Sequence, residues 1–410
     1  MATPPTVDDP LRTDARHLAF LAGETSRLLD GARAAARPDG TFAWLDDDAR
    51  PDPTRPRELW VATRMTHLFS VGHLLGREGD GELADLGIMG LRNAFADPQS
   101  GGWFPSLDDE GPTDTHKQAY GHAFVVLAAA SSVIAGRPGA ADLLDEALSV
   151  ISDHFWEDDA GAMADVWDRS WSNLEPYRGA NANMHSVEAL LAAADATGDE
   201  VWVDHATRIV QRLILGEARE HSWHVPEHYD EHWQIQPDYN RDQPRHAFRP
   251  YGVTPGHGFE WARLLLHLGT RRPNDAYLGA AQGLFDTALR DGWSEEKPGI
   301  AYTTDWDGAP VVRERFHWVL CEAIATAAVL ADATGESRYD DWYARWWQLA
   351  EDRFIDRDCG GWVPELDEDG RRSNGTWSGK ADWYHAVQAT LIPRLPLTSS
   401  IAASARAFTR

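Results

Sequence analysis

The sequence predicts an all-α fold, an (α/α)6 barrel in which six helical hairpins close into a ring. A short acidic motif recurs six times along the chain. The stretches between its copies have helical periodicity. Those stretches divide into twelve helices, two per repeat.

The motif is clearest in two copies. Gly101-Gly102-Trp103-Phe104-Pro105-Ser106-Leu107-Asp108-Asp109-Glu110-Gly111 is echoed by Gly360-Gly361-Trp362-Val363-Pro364-Glu365-Leu366-Asp367-Glu368-Asp369-Gly370. Weaker copies begin at residues 41, 160, 221 and 298, so successive starts lie 60, 59, 61, 77 and 62 residues apart. Each copy reads as a short extended hairpin with an acidic turn.

Between the copies, apolar residues recur with helical spacing over 12–34, 55–77, 80–96, 115–135, 139–156, 180–196, 199–215, 257–272, 275–291, 311–334, 338–354 and 380–394. One helical hairpin cannot bury its apolar face alone, so neighbours must stack. An open solenoid would need polar caps at its ends, and neither end offers one. Closure predicts a single domain over 1–410, with flexible ends at about 1–10 and 398–410. The long 77-residue interval owes its excess to Gln236–Pro255, a polar, Pro-rich stretch that reads as a loop. Phe248, Arg249 and Tyr251 within it argue for a functional loop.

The 410 residues carry a net charge of −27, which argues against nucleic-acid and anionic-membrane partners. No apolar run is long enough to span a bilayer. Met1–Pro10 lacks the basic-then-apolar signal pattern, so a cytoplasmic protein is expected. Cys321 and Cys359 suggest neither a disulfide framework nor a zinc motif. His221, His224, His228 and His232 cluster without the spacing of a metalloprotease helix, and no metal is expected there. No Gly-x-Gly-x-x-Gly or Walker loop suggests a nucleotide cofactor. The 19 Trp residues are either core side chains or flat platforms for sugar faces.

Unusual polar residues gather in the N-terminal halves of the even-numbered helices. They are Trp60, Arg64 and His67; Lys117, Gln118, Tyr120 and His122; Asn181, Asn183 and His185; His257 and Glu260; Arg315, Trp318 and Glu322; and Lys380, Asp382, Tyr384 and His385. In a closed barrel those ends converge on one mouth, where helix N-termini project positive potential suited to developing oxyanions. His257 and Glu260 are three apart and share a helix face, so Glu260 is expected to orient His257.

These residues resemble the N-acylglucosamine 2-epimerase superfamily over about Thr41–Pro396. The resemblance rests on Trp60-Val-Ala-Thr-Arg64-Met, Asn181-Ala-Asn183-Met-His185, Phe248-Arg249, Thr254-Pro-Gly-His257 with Glu260-Trp261, Arg313-Glu-Arg315 and Gly379-Lys380-x-Asp382-x-Tyr384-His385. It is strongest for the aldose–ketose isomerase branch, which includes mannose and sulfoquinovose isomerases. The resemblance implies an (α/α)6 barrel, no metal or nucleotide cofactor and a monosaccharide substrate, and leaves the oligomeric state open. It implies His257 and His385 as the acid/base pair, with Glu260 and Arg64 in the catalytic group. It places Trp60, Tyr120, Asn181, His185, Phe248, Trp318, Glu322 and Lys380 around the sugar. Sulfosugar members carry Arg before the Phe-Arg pair and Gln between the Lys and the Asp. Here those positions are Ala247 and Ala381, which favours mannose over sulfoquinovose. A 2-epimerase acting on cellobiose or N-acylglucosamine is the main alternative. A glycoside hydrolase would use Glu260, Glu322 and Asp382 but would leave the histidines unexplained. A non-catalytic sugar-binding toroid is a further alternative.

Overall fold

The computed structural model describes residues 10–409. In chain order its helices begin with α1 (Ala15–Ala32), α2 (Leu59–Leu74), α3 (Asp80–Gly90), α4 (Ala119–Ile134), α5 (Ala140–Val150) and α6 (Ala180–Thr197). They continue with α7 (Val201–Val210), α8 (Pro255–Arg271), α9 (Asp275–Gly292), α10 (His317–Thr334), α11 (Ser337–Leu349), α12 (Tyr384–Leu391) and α13 (Ile401–Phe408).

The even-numbered helices form an inner ring. Contacts run from α2 to α4, α6, α8, α10 and α12 in turn, and α12 meets α2 again, which closes the barrel. The odd-numbered helices α1–α11 pack outside them. Sequence dictates this division. Helix α4, AYGHAFVVLAAASSVI, is apolar on every face and buried nearly throughout, as a helix inside a large fold must be. Helices α7 and α11 are amphipathic and bury one stripe each, Val203, Ala206, Ile209 and Val210 in α7 and Tyr339, Tyr343, Trp346 and Trp347 in α11.

The repeated acidic motif has one structural job. In each copy the first turn aspartate accepts backbone N–H groups two to four residues further on. Asp46 accepts from Asp48 and Arg50 at 2.9 Å each. The same arrangement occurs at Asp108, Asp168, Asp230, Asp305 and Asp367. Asp and Asn favour such turns because the short side chain reaches the local backbone. Six hairpins built this way rim the end of the barrel where the inner helices begin.

Several expected boundaries move for a common reason. Helices expected from 55, 115 and 311 begin at Leu59, Ala119 and His317. The preceding residues are short strands instead: Arg57–Glu58 pairs with Ser106–Leu107, Lys117–Gln118 with Val166–Trp167, and Arg315–Phe316 with Glu365–Leu366. Backbone groups that would start a helix are claimed by the next hairpin. Likewise, Lys380 and Asp382 precede α12 rather than open it.

The largest departure is at the C-terminus, which was expected to be flexible from about 398. It folds as α13, which buries Ile401, Ala402, Ser404 and Ala405 and packs on α2, α4 and α6. Its entry is tied down by Ser399 and Ser400, whose hydroxyls donate to Asp195 at 2.6 and 2.7 Å. An eight-residue segment is too short for periodicity to separate from a polar tail. At the other end, the expected flexible stretch lies outside the described residues except for Pro10.

Candidate active site

A cavity opens at the N-terminal ends of the inner helices. Arg64, Tyr120, Asn181, His185, His257, Glu260, Trp318 and His385 all reach its wall, with Trp60 and Phe248 beside them. Trp44, Tyr302, Trp377 and Asp382 join them from the hairpins and loops, and His317 from the first residue of α10. Ala247 and Ala381 also line it, and Arg64 is the one arginine or lysine among its described lining residues.

Two histidines face each other across Trp318. The His257 and Trp318 rings lie 5.5 Å apart, and Trp318 and His385 lie 5.7 Å apart. Gly256 makes room for this wall, because a Cβ there would sit 2.5 Å from the Trp318 ring. Each histidine has its Nδ1 on a carboxylate. For His385 the partner is Asp382, three residues earlier, at 2.5 Å. Its Nε2 is buried without a protein partner.

For His257 the expected partner is wrong. Its Nδ1 lies 2.8 Å from Glu227 Oε1, not on Glu260. Glu260 is at the right helical spacing but turns toward the barrel axis, 3.6 Å from His185 Nδ1 and 3.7 Å from Arg263. Shared helix face does not guarantee contact when a buried cation competes for one of the two groups. Burial, with Glu322 nearby, pushes the Glu260 carboxyl well above its usual range.

Arg64 is caged. It donates to Tyr120 Oη at 2.9 Å, lies 3.7 Å from Asp382, and stacks over Phe124 and Tyr384 at 4.5 and 4.9 Å. Burial opposes its charge, but Tyr120 and Asp382 more than restore it. Asp382 is likewise penalised by burial, yet His385, Arg64 and His317 hold it well below the carboxylate range. Burial pushes His185 down to about 3, so its imidazole is neutral.

Phe248 closes one side of the mouth. Its ring meets Tyr120 and Trp377 at 5.4 Å each and Trp60 at 6.2 Å. The loop 236–254 that carries it is pinned: Tyr302 Oη donates to Ala247 O at 3.2 Å, and Arg249 binds Glu175 through two 2.9 Å bonds. Outside it lies a wider vestibule.

Two expected sugar contacts lie elsewhere. Lys380 is buried on Asp356 Oδ2 at 2.7 Å and on Gly360 O, away from the cavity. Glu322 sits beneath the cavity floor, where both its oxygens accept from Arg263 at 2.9 and 3.2 Å. Arg315, from another quoted motif, turns back onto Arg313 O at 2.6 Å. The four loop histidines 221, 224, 228 and 232 do not share a site: His224 bonds Asp291 at 2.8 Å, His228 bonds Tyr177 and Pro250, and His232 is exposed. Among the described residues, His185–Glu188–Glu260 and Glu260–Glu322–His385 have ligand atoms within 4.8 Å of one another, close enough for a cation. Arg263 already supplies positive charge to both groups through Glu260 and Glu322.

Aromatic faces on several sides and a lone, already-paired cation suit a small neutral sugar. Paired histidines suit proton transfer. Fold and site together define a sugar-converting helical barrel, and sequence comparison narrows it. The chain belongs to the N-acylglucosamine 2-epimerase (GlcNAc 2-epimerase) family, whose profile matches residues 40–389. A D-mannose isomerase of Thermobifida fusca is 48% identical over 95% of this chain and 97% of its own. The crystal structure of a D-mannose isomerase superposes with a TM-score of 0.88 at 32% identity, covering 95% of this chain and 99% of that one. The cellobiose 2-epimerase of Spirochaeta thermophila shares the fold, with a TM-score of 0.81 at 22% identity over 95% of this chain and 98% of that one.

Proposed function

We propose that this protein is an aldose–ketose isomerase that interconverts D-mannose and D-fructose. The observation that carries this is the pair of carboxylate-held histidines flanking Trp318 in an aromatic cavity whose one cation among the described residues, Arg64, is already paired with Asp382. The full-length similarity to D-mannose isomerases supports the substrate. Ala247 and Ala381 on the wall support a neutral hexose over a sulfosugar, since neither offers a donor to a sulfonate.

Isomerisation opens the sugar ring and moves one hydrogen from C2 to C1. In the open aldose, O1 gains a proton as C2 loses one, which makes an enediol. O2 then loses its proton as C1 gains one, which makes the ketose. His385 takes the proton from C2 and returns it to C1. A neutral imidazole does this well because its pKa lies near working pH. His257 opens the ring and carries the oxygen-bound proton. Arg64 and His185 hold the enediolate oxygens, an electrostatic contribution that is commonly the largest. Trp318 and Trp60 are apolar walls. A cytoplasmic location is part of the proposal, and the free thiols of Cys321 and Cys359 support it, since thiols persist in a reducing compartment.

The test is incubation with mannose, sulfoquinovose, glucose, lyxose and cellobiose, followed by identification of products. Fructose from mannose is expected. Glucose as the main product from mannose would instead indicate a 2-epimerase, and turnover of sulfoquinovose alone would reject the neutral-hexose reading. His257→Ala and His385→Ala should each lower kcat at least about 100-fold while circular dichroism stays unchanged. Near-wild-type turnover in both variants would overturn the assignment.

A further inference from the structure

We infer that Glu227 is a positioning residue for the isomerisation, and that His228 beside it ties this function to the loop that closes the cavity mouth. The inference rests on the isomerase reading of the site. Glu227 lies outside the repeated inner-helix pattern, on the approach to the short strand His228–Asp230. Its side chain is 3% exposed, and Oε1 accepts from His257 Nδ1 at 2.8 Å. A carboxylate can only accept a hydrogen bond, so it fixes the proton on Nδ1 and leaves Nε2 as a lone pair. His257 then acts first as a base, and Glu227 stabilises the imidazolium that forms when it takes a proton.

The backbone holds this carboxylate firmly. Ala180 N, at the start of α6, donates to Glu227 O at 3.0 Å. The strand His228–Asp230 pairs with Tyr177–Gly179. His228 then bridges outward. Its Nδ1 accepts from Tyr177 Oη and its Nε2–H donates to Pro250 O, both at 2.7 Å. Pro250 is two residues from Phe248, which packs at the cavity mouth. One continuous path therefore runs from the mouth loop through Pro250, His228 and Glu227 to His257. Burial lowers the His228 pKa, which keeps the ring neutral and preserves this pattern of one donor and one acceptor.

The test first measures fructose formation from mannose by the wild-type protein. No turnover of any sugar there would fail the isomerase reading before Glu227 is judged. In an active enzyme, Glu227→Gln keeps the shape but removes the charge. It is expected to lower kcat about 100-fold with KM changed less than about threefold. Glu227→Ala should lose as much, and added formate should restore turnover in proportion to its concentration by reoccupying the carboxylate site. His228→Ala should lower kcat too, and formate should not restore it. Wild-type kcat in Glu227→Gln, or a Glu227→Ala loss that formate never relieves, would overturn the proposal. The second outcome would mean that Glu227 matters only for folding.

Discussion

Lys380 and Lys117 occupy the same place in two repeats. Lys117 Nζ is 3.0 Å from Asp97 Oδ2, and Lys380 Nζ is 2.7 Å from Asp356 Oδ2. Each aspartate opens the Asp-x-x-x-Gly-Gly-Trp run that precedes its hairpin, and each is also bound by an arginine, Arg169 or Arg372. Lys380 is thus part of the repeat framework, and its proximity in sequence to His385 says nothing about the sugar. Removing Lys380 leaves Asp356 with Arg372 as its remaining cation, so the cost falls below that of a wholly uncompensated buried charge, to about 2 kcal/mol. Lys380→Ala should therefore lower stability by about that amount, measured by urea unfolding, and leave KM for the sugar within about twofold. A many-fold rise in KM with unchanged stability would return Lys380 to the binding site. The same comparison shows why the residue types of the cavity were legible and some partners were not. Arg64, His257 and His385 stand out as polar groups on otherwise apolar inner helices. Glu227 is one of several acids in a histidine-rich loop, and only tertiary contact singles it out. Trp44 and Trp377 were hidden among the many tryptophans of the hairpins.

At the scale of elements, the repeat was readable because its turn chemistry is local. An aspartate that binds its own backbone leaves a signature within a few residues, and six of them set the ring count. Helix starts were less readable because the residues before Leu59, Ala119 and His317 form strands whose partners lie 48 or more residues away. The C-terminal helix was missed for the same kind of reason, since its stability comes from what it covers. Asp195, at the far end of α6, accepts from Ser399, Ser400 and also Arg271 Nη1 at 2.9 Å. His267 Nδ1 donates to Thr398 O at 2.5 Å. α13 thus caps the end of the barrel away from the cavity. Ending the chain after Pro396 would expose the surface under Ile401 and strip Asp195 of two hydroxyls. Burial of one Ile-sized side chain is worth about 1.5–3 kcal/mol, and each lost hydrogen bond about 1 kcal/mol. The truncated protein should lose about 3–5 kcal/mol while KM, set at the opposite end, stays unchanged. Unaltered thermal unfolding would show that α13 contributes nothing to the barrel.

Over the whole molecule, the buried ionisable groups set how stability follows pH. Burial lowers His67 and His267 to about 4 and His122 and His185 to about 3. His122 shows why the native state refuses a proton: Nδ1–H donates to Gln118 O at 2.7 Å, and Nε2 accepts from Trp103 N–H at 3.2 Å. Protonating Nε2 would break that second bond. As pH falls through 6.5 the unfolded chain protonates these four histidines and the folded one does not. Stability is lost whenever the unfolded state binds more protons. Acids of the opposite kind counter this at first. Burial raises Glu58 to about 7 and Asp165 to about 6, with Glu260 well above its usual range. Their stabilising protons are fully held at low pH and lost as pH rises through those values, so near pH 6 the two groups oppose each other. Below about pH 5 the unfolded chain also protonates its acids, and that opposition fades. Glu188, Asp97 and Asp382, held low by their partners, then add losses of the histidine sign. With a net difference of about two to three protons, stability should fall on the order of 3–4 kcal/mol per pH unit between pH 5 and 4. The melting temperature should therefore be nearly level from pH 7 to 6 and drop steeply below 5. A melting temperature that stays level down to pH 4 would mean that the buried histidines are protonated in the folded barrel, at odds with the neutral His122 that its two hydrogen bonds require.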